Sequence, residues 1–173
     1  MAKVITFSRV FPKGHIRQGE QTNFVEKIWK SLYTNTICPD NLNDYINNYM
    51  DKLSTEILPY YETISKKHTI RNGNRFKKGD FFSPRVWSDK PYQSKQIIIA
   101  PDLEVKKVFD IEIFNSHEVY IDGVFHCSFG SENWEELCKN DGLSSRDMKA
   151  WFSKLPFKGQ IICWNDTVLD SRP

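Results

Sequence analysis

The sequence lacks several features that would assign a function at once. Its four cysteines, Cys38, Cys127, Cys138 and Cys163, include no C-x-x-C pair. Scattered in this way, they predict small core hydrophobes and not a disulfide framework. The four histidines, His15, His68, His117 and His126, have no metal-ligand spacing, so no zinc or other metal site is expected. No glycine-rich run matches the phosphate loops of nucleotide-binding enzymes, and no cofactor is predicted. No apolar run approaches the roughly 18 residues that a membrane-spanning helix needs. The opening MAKVITFSRVF has neither the apolar core nor the cleavage site of a signal peptide. Together these absences predict a soluble protein of the reducing cytoplasm, without membrane contact.

Aromatic residues and locally concentrated charge are what the chain does have. Twelve Phe, seven Tyr and five Trp among 173 residues predict a well-filled core, or stacking surfaces beside one. A chain this long buries roughly 70% of its unfolded surface, enough for one self-sufficient domain over 1–173. Net charge is only +2, yet residues 65–80, SKKHTIRNGNRFKKGD, carry six basic side chains and a single acid, Asp80. A local charge of this sign is the form that a phosphate footprint takes, although a solvated loop can carry it too.

Periodicity places these features on elements. Val4 to Phe7, with Val10 and Phe11, reads as an opening strand. Thr22 is a candidate N-cap for a helix with apolar positions from Phe24 to Tyr33. A second helical stripe runs from Leu42 to Ile57 and stops before Pro59. Strands follow, and Pro84 between Ser83 and Arg85 predicts an edge or bulged strand. Lys95 to Ile99 reads as a short strand, and Val105 to Phe114 alternates as a half-buried strand should. Asp122-Gly123 between Val119–Ile121 and Val124–Phe125 predicts a type I′ hairpin. Ser131, and then Ser144 or Ser145, cap two late helices, and Gln160 to Trp164 closes the chain as a strand. The order predicts an α+β fold with a small mixed β-barrel and flanking helices.

Lys66-Lys67-His68-Thr69-Ile70-Arg71, followed by Lys78-Gly79-Asp80, resembles the K-x-x-T-I-R element and G-D strand opening of ASCH domains. The family is a branch of the PUA-like β-barrels. Ile5-Thr6-Phe7 resembles its first strand, Asp141 before a capped helix its late acid, and Gln160 to Trp164 its closing strand. The resemblance covers 3–11 and about 64–165, so the helices in about 13–63 form an insertion after the first strand. It implies a cleft for RNA or a modified nucleoside. It also implies a distant likeness to small amidohydrolases that act on N4-acetylcytidine, in which Lys66, Thr69 and Asp141 would be the catalytic set. The chain departs from that pattern in carrying Asp where the hydrolases have Glu, and in the inserted helices, which could narrow or cover the cleft.

Thr69 as a nucleophile needs a base, and Lys66 supplies one if burial or neighbouring cations lower its pKa. In an extended strand, however, Lys67, Thr69 and Arg71 share a face, so Lys66 meets Thr69 only if the chain bends first. Arg71 and Arg75 are candidate forks for phosphate or a base edge, with Lys67, Lys77, Lys78 and Arg85 as further cations and Trp87 as a stacking ring. Six phosphate contacts would predict a roughly thousandfold loss of affinity between 50 and 200 mM salt. A protein-interaction module is the third expectation. It requires exposed apolar residues on helices 22–33 and 40–57.

Overall fold

The computed structural model describes residues 1–34, 38–166, 168 and 169. Among them are nine strands and four α-helices in two sheets. β1 (Lys3–Phe7) runs parallel to β3 (Phe81–Trp87), and β3 pairs antiparallel with β4 (Gln96–Ile98) and β5 (Leu103–Glu104). The second sheet has the order β2-β9-β6-β7-β8 and is antiparallel throughout. Its strands are β2 (His68–Asn72), β6 (Lys107–Ile113), β7 (Glu118–Ile121), β8 (Val124–Ser128) and β9 (Phe157–Cys163). The α+β class is the predicted one.

The predicted barrel is not closed. Among the described residues no strand ladder joins the two sheets. The chain itself crosses at Val105-Lys106, where Val105 N–H donates to the Asp80 carbonyl and Lys106 N–H to the Cys163 carbonyl, each at 2.8 Å. At the other seam the edge strands β1 and β2 are bridged by a side chain. Arg71 Nη2 donates to the Thr6 carbonyl at 2.8 Å. That seam, spanned by a guanidinium and not by a ladder, is where the candidate site lies.

α1 (Phe24–Tyr33) and α2 (Leu42–Leu53) lie between β1 and β2 in the chain. The N-cap position is Asn23, left-handed with φ 54° and without a side-chain cap bond, so Thr22 stands one residue before the cap it was expected to form. Its hydroxyl accepts from Phe24 N–H at 3.2 Å. Phe24, Val25, Ile28, Trp29 and Leu32 of α1 are buried, as are Leu42, Ile46 and Tyr49 of α2. Trp29 Nε1 donates to the Ile99 carbonyl at 2.7 Å, and Trp164 Nε1 to Ser31 Oγ at 3.0 Å, so α1 is fastened to both sheets. α2 ends at Leu53, short of the periodic stripe, because Ser54 adopts a left-handed conformation with φ 46°. Ile57 still packs on the core from beyond the helix.

Two further expectations change. The opening strand stops at Phe7, and Val10 makes only an isolated bridge to Gln21. β3 is central and not an edge, although it contains Pro84. β4 covers Arg85–Trp87 and β5 covers Phe81–Phe82, which leaves Ser83 and Pro84 between them. Pro84 needs no ladder partner for a missing N–H there, and its carbonyl accepts from Ile99 N–H at 3.1 Å. The hairpin forms as expected, with φ 50° at Asp122 and 77° at Gly123. α3 (Glu132–Asn140) and α4 (Ser145–Trp151) are capped by Ser131 and Ser144. Among the described residues no helix is long and apolar enough to cross a membrane.

Candidate functional site at the open seam

Lys66 lies two residues before β2. Its backbone N–H donates to the Lys27 carbonyl of α1 at 3.0 Å, and the next N–H, of Lys67, donates to the Asn140 carbonyl at 2.8 Å. These two bonds wedge the segment between α1 and the end of α3. The Lys66 side chain is therefore turned inward and only 1% exposed. Its ammonium donates to the Asp141 carbonyl and stands 3.1 Å from Asp141 Oδ1. The Phe24 ring lies 4.4 Å from Nζ and the Phe7 ring 6.0 Å. Gly142, with φ 78°, packs against the Lys66 stem, where an added Cβ would come within 3.2 Å of Lys66 Cβ.

Burial sets the electrostatics of this cluster. Desolvation, aided by the nearby Arg71 and Lys27 cations, lowers the Lys66 pKa to about 8 against the pull of Asp141. Burial likewise pushes Asp141 above the ordinary carboxylate value, opposed by Lys66, Arg71 and the Ile70 backbone. Each group shifts toward its neutral form, as expected for a pair held out of water. His68 is fully buried, with Nε2 3.7 Å from Asp141 Oδ1, and among the described residues neither ring nitrogen has a hydrogen-bond partner. Desolvation, and then the Lys66 and Lys67 charges, hold its pKa well below the usual value, so it is neutral.

Thr69 and Arg71 follow on β2. Arg71 Nε donates to Thr69 Oγ1 at 3.2 Å, and the guanidinium sits 5.2 Å from the Phe7 ring. Lys66, Thr69, Arg71 and Asp141 all line one cavity of about 290 Å³. Its other walls include Phe7, Phe24, Trp87, Tyr92 and Trp151. Trp87 and the exposed Tyr92 pack 5.4 Å apart, forming an aromatic lip.

The remaining predicted site residues fall elsewhere. Arg75 lines a second cavity, of about 180 Å³, together with Arg71. Lys77 and Lys78 are exposed in the turn and line neither cavity. Lys67 is half-buried. Arg85 is occupied along its own sheet, donating to Ser83 Oγ at 3.1 Å and to Gln96 Oε1 at 3.2 Å. Asp80 is structural: it pairs with Lys3 at 2.5 Å and accepts from Lys77 N–H at 2.8 Å. Phe82 and Phe76 are buried in the core, whereas Phe81 is exposed.

Sequence reading missed His68, Phe24 and Trp151 as cavity residues. For His68 a signal existed, since it adjoins Thr69 within the same basic stretch. Phe24 and Trp151 come from helices whose apolar stripes read as ordinary core, and only the packing directs their rings at the cavity. Compared with protein-family models, curated proteins and solved structures, the chain gives no match.

Proposed function

We propose that the protein recognises a nucleobase, in RNA or as a modified nucleoside, in the cavity at the β1–β2 seam, and that its two sheets form an open relative of the PUA-like barrel of the ASCH domains. The observation that carries this reading is the convergence of Lys66, Thr69, Arg71 and Asp141, from two chain segments about seventy residues apart, in one aromatic-walled cavity. The combination suits a base. Aromatic faces stack on its plane, and donors and acceptors at the floor meet its edge. The buried stripes of α1 and α2 leave those helices without the apolar patch that a docking role needs. Short single-stranded RNAs and nucleosides titrated into the protein at low and high salt test the reading. Saturable binding that nucleosides compete for supports it, and absence of binding at low salt contradicts it.

A second reading makes the same cavity an amidohydrolase for N4-acetylcytidine-type nucleosides. It is favoured by the lowered Lys66 pKa of about 8, which gives a useful fraction of neutral amine near neutral pH. In this reading Lys66 Nζ takes the Thr69 hydroxyl proton as Oγ1 attacks the amide carbonyl carbon. Collapse breaks the bond to the exocyclic nitrogen, which receives that proton from Lys66. Water then cleaves the acyl ester and releases acetate. The rate should rise with pH to about 8, as Lys66 loses its proton, and level off above. Appearance of cytidine from N4-acetylcytidine, abolished in Thr69→Val, is the supporting result. Undiminished turnover in that variant excludes the step.

A further inference from the structure

Beside the first cavity, and sharing Thr6 and Arg71 with it, lies the second cavity of about 180 Å³, lined also by Val4, Ile5, Asn72, Arg75, Phe76 and Gln160. Its wall carries two guanidinium groups and no carboxylate. Arg71 spends two of its N–H donors on Thr69 Oγ1 and the Thr6 carbonyl. A guanidinium has five, so among the described residues its remaining donors are unspent on protein. Among the described residues neither Arg71 nor Arg75 has a carboxylate within ion-pair distance. Asp80, the single acid of the basic stretch, is held by Lys3 and the Lys77 amide and does not line the cavity.

The loop that carries Arg75 is fixed. Gln160 accepts from Phe76 N–H at 3.1 Å and donates back to the Phe76 carbonyl at 3.2 Å. Lys3 Nζ donates to the Arg75 carbonyl at 2.6 Å. A concave, acid-free site with an exposed guanidinium on a clamped backbone matches a phosphate oxyanion, which Arg binds through paired donors. We infer that this second cavity is a phosphate subsite, so that the ligand is a phosphorylated nucleoside whose base enters the first cavity. The inference rests on the base-pocket reading for the position of the base, and on the second cavity alone for the phosphate.

Affinities for cytidine and N4-acetylcytidine, for their 5′-monophosphates, and for trinucleotides with the same base in the centre test it. One phosphate contact of this kind should tighten binding roughly tenfold or more over the nucleoside. In Arg75→Gln, with its fold checked by circular dichroism, the ratio of nucleotide to nucleoside affinity should fall toward one. A larger gain for the monophosphate assigns the site to a terminal phosphate, a larger gain for the trinucleotide to an internal phosphodiester, and either supports the inference. Inorganic phosphate followed by amide NMR separates the two readings. Shifts at Asn72 to Phe76 that vanish in Arg75→Gln uphold the subsite even if no base binds. Nucleoside binding without any phosphate gain, or a gain that survives in Arg75→Gln, overturns it and leaves the base pocket standing.

Discussion

Lys66 and Asp141 form a buried pair whose members depend on each other for compensation. Removing one partner from such a pair leaves an unpaired charge, a loss that typically costs about 3–5 kcal/mol. Asp141→Asn should therefore lower stability by about 3 kcal/mol in urea unfolding. Lys66→Met combined with Asp141→Asn should cost at least about 1 kcal/mol less than the two single changes added together. Strict additivity would mean the pair is not coupled. His68 gives a second test. Its folded pKa lies below the unfolded value of about 6.5, so the unfolded chain binds the extra proton first as pH falls. Stability is then lost below about pH 6.5, by about 1.4 kcal/mol per pH unit, until the folded histidine itself titrates. In His68→Gln this component should vanish, and stability–pH curves that stay parallel for the two proteins would refute the assignment.

At the scale of elements, the β2–β9 ladder sets the geometry of the seam. Gly159 lies within β9, and a Cβ there would fall 2.0 Å from the Arg71 carbonyl oxygen. No side chain fits without moving β2, and with it Thr69 and Arg71. Gly159→Ala should therefore cost about 3 kcal/mol or more in thermal or urea unfolding, at the upper end of overpacking penalties. Loss of less than about 0.5 kcal/mol would show that the strand shifts freely. Much of this element pattern was legible in the sequence. The hairpin at Asp122-Gly123, both serine caps and the stripes of α1 and α2 follow from local rules. The strand-face argument made a shared site for Lys66 and Thr69 conditional on a bend before β2. The two do line one cavity, with Lys66 outside the strand and held by α1 and the end of α3. The central placement of β3 was not legible. Whether Pro84 breaks a ladder depends on where β4 and β5 end, and that is decided by packing far along the chain.

At the scale of the whole molecule, the basic stretch 65–80 does not act as one surface. Lys66 is buried in the pair, Arg71 spans the seam, Arg75 lines the second cavity, and Lys77 and Lys78 face solvent. Counting charges in a sequence window could not separate these roles, because the turn at Asn72 to Asp80 sends them in different directions. If the two arginines of the proposed phosphate subsite, in place of six cations, make the phosphate contacts, the log–log salt slope for single-stranded RNA should be about −1.4. A measured slope near −4 would mean that the exposed lysines carry the binding. The α1–α2 segment, expected to narrow or cover a cleft, contributes to the cavity wall: Phe24 lines the cavity and the Lys27 carbonyl positions Lys66.

The central claim is that the seam cavity takes a base between aromatic walls. Calorimetric titration of cytidine, N4-acetylcytidine and the other ribonucleosides into wild type, Trp87→Ala and Tyr92→Ala tests it most directly. Stacking contributes about 1–3 kcal/mol per base, so saturable binding of at least one nucleoside should weaken roughly fivefold or more in each variant, with circular dichroism unchanged. Absence of binding by every nucleoside, or equal affinity in all three proteins, would contradict the account.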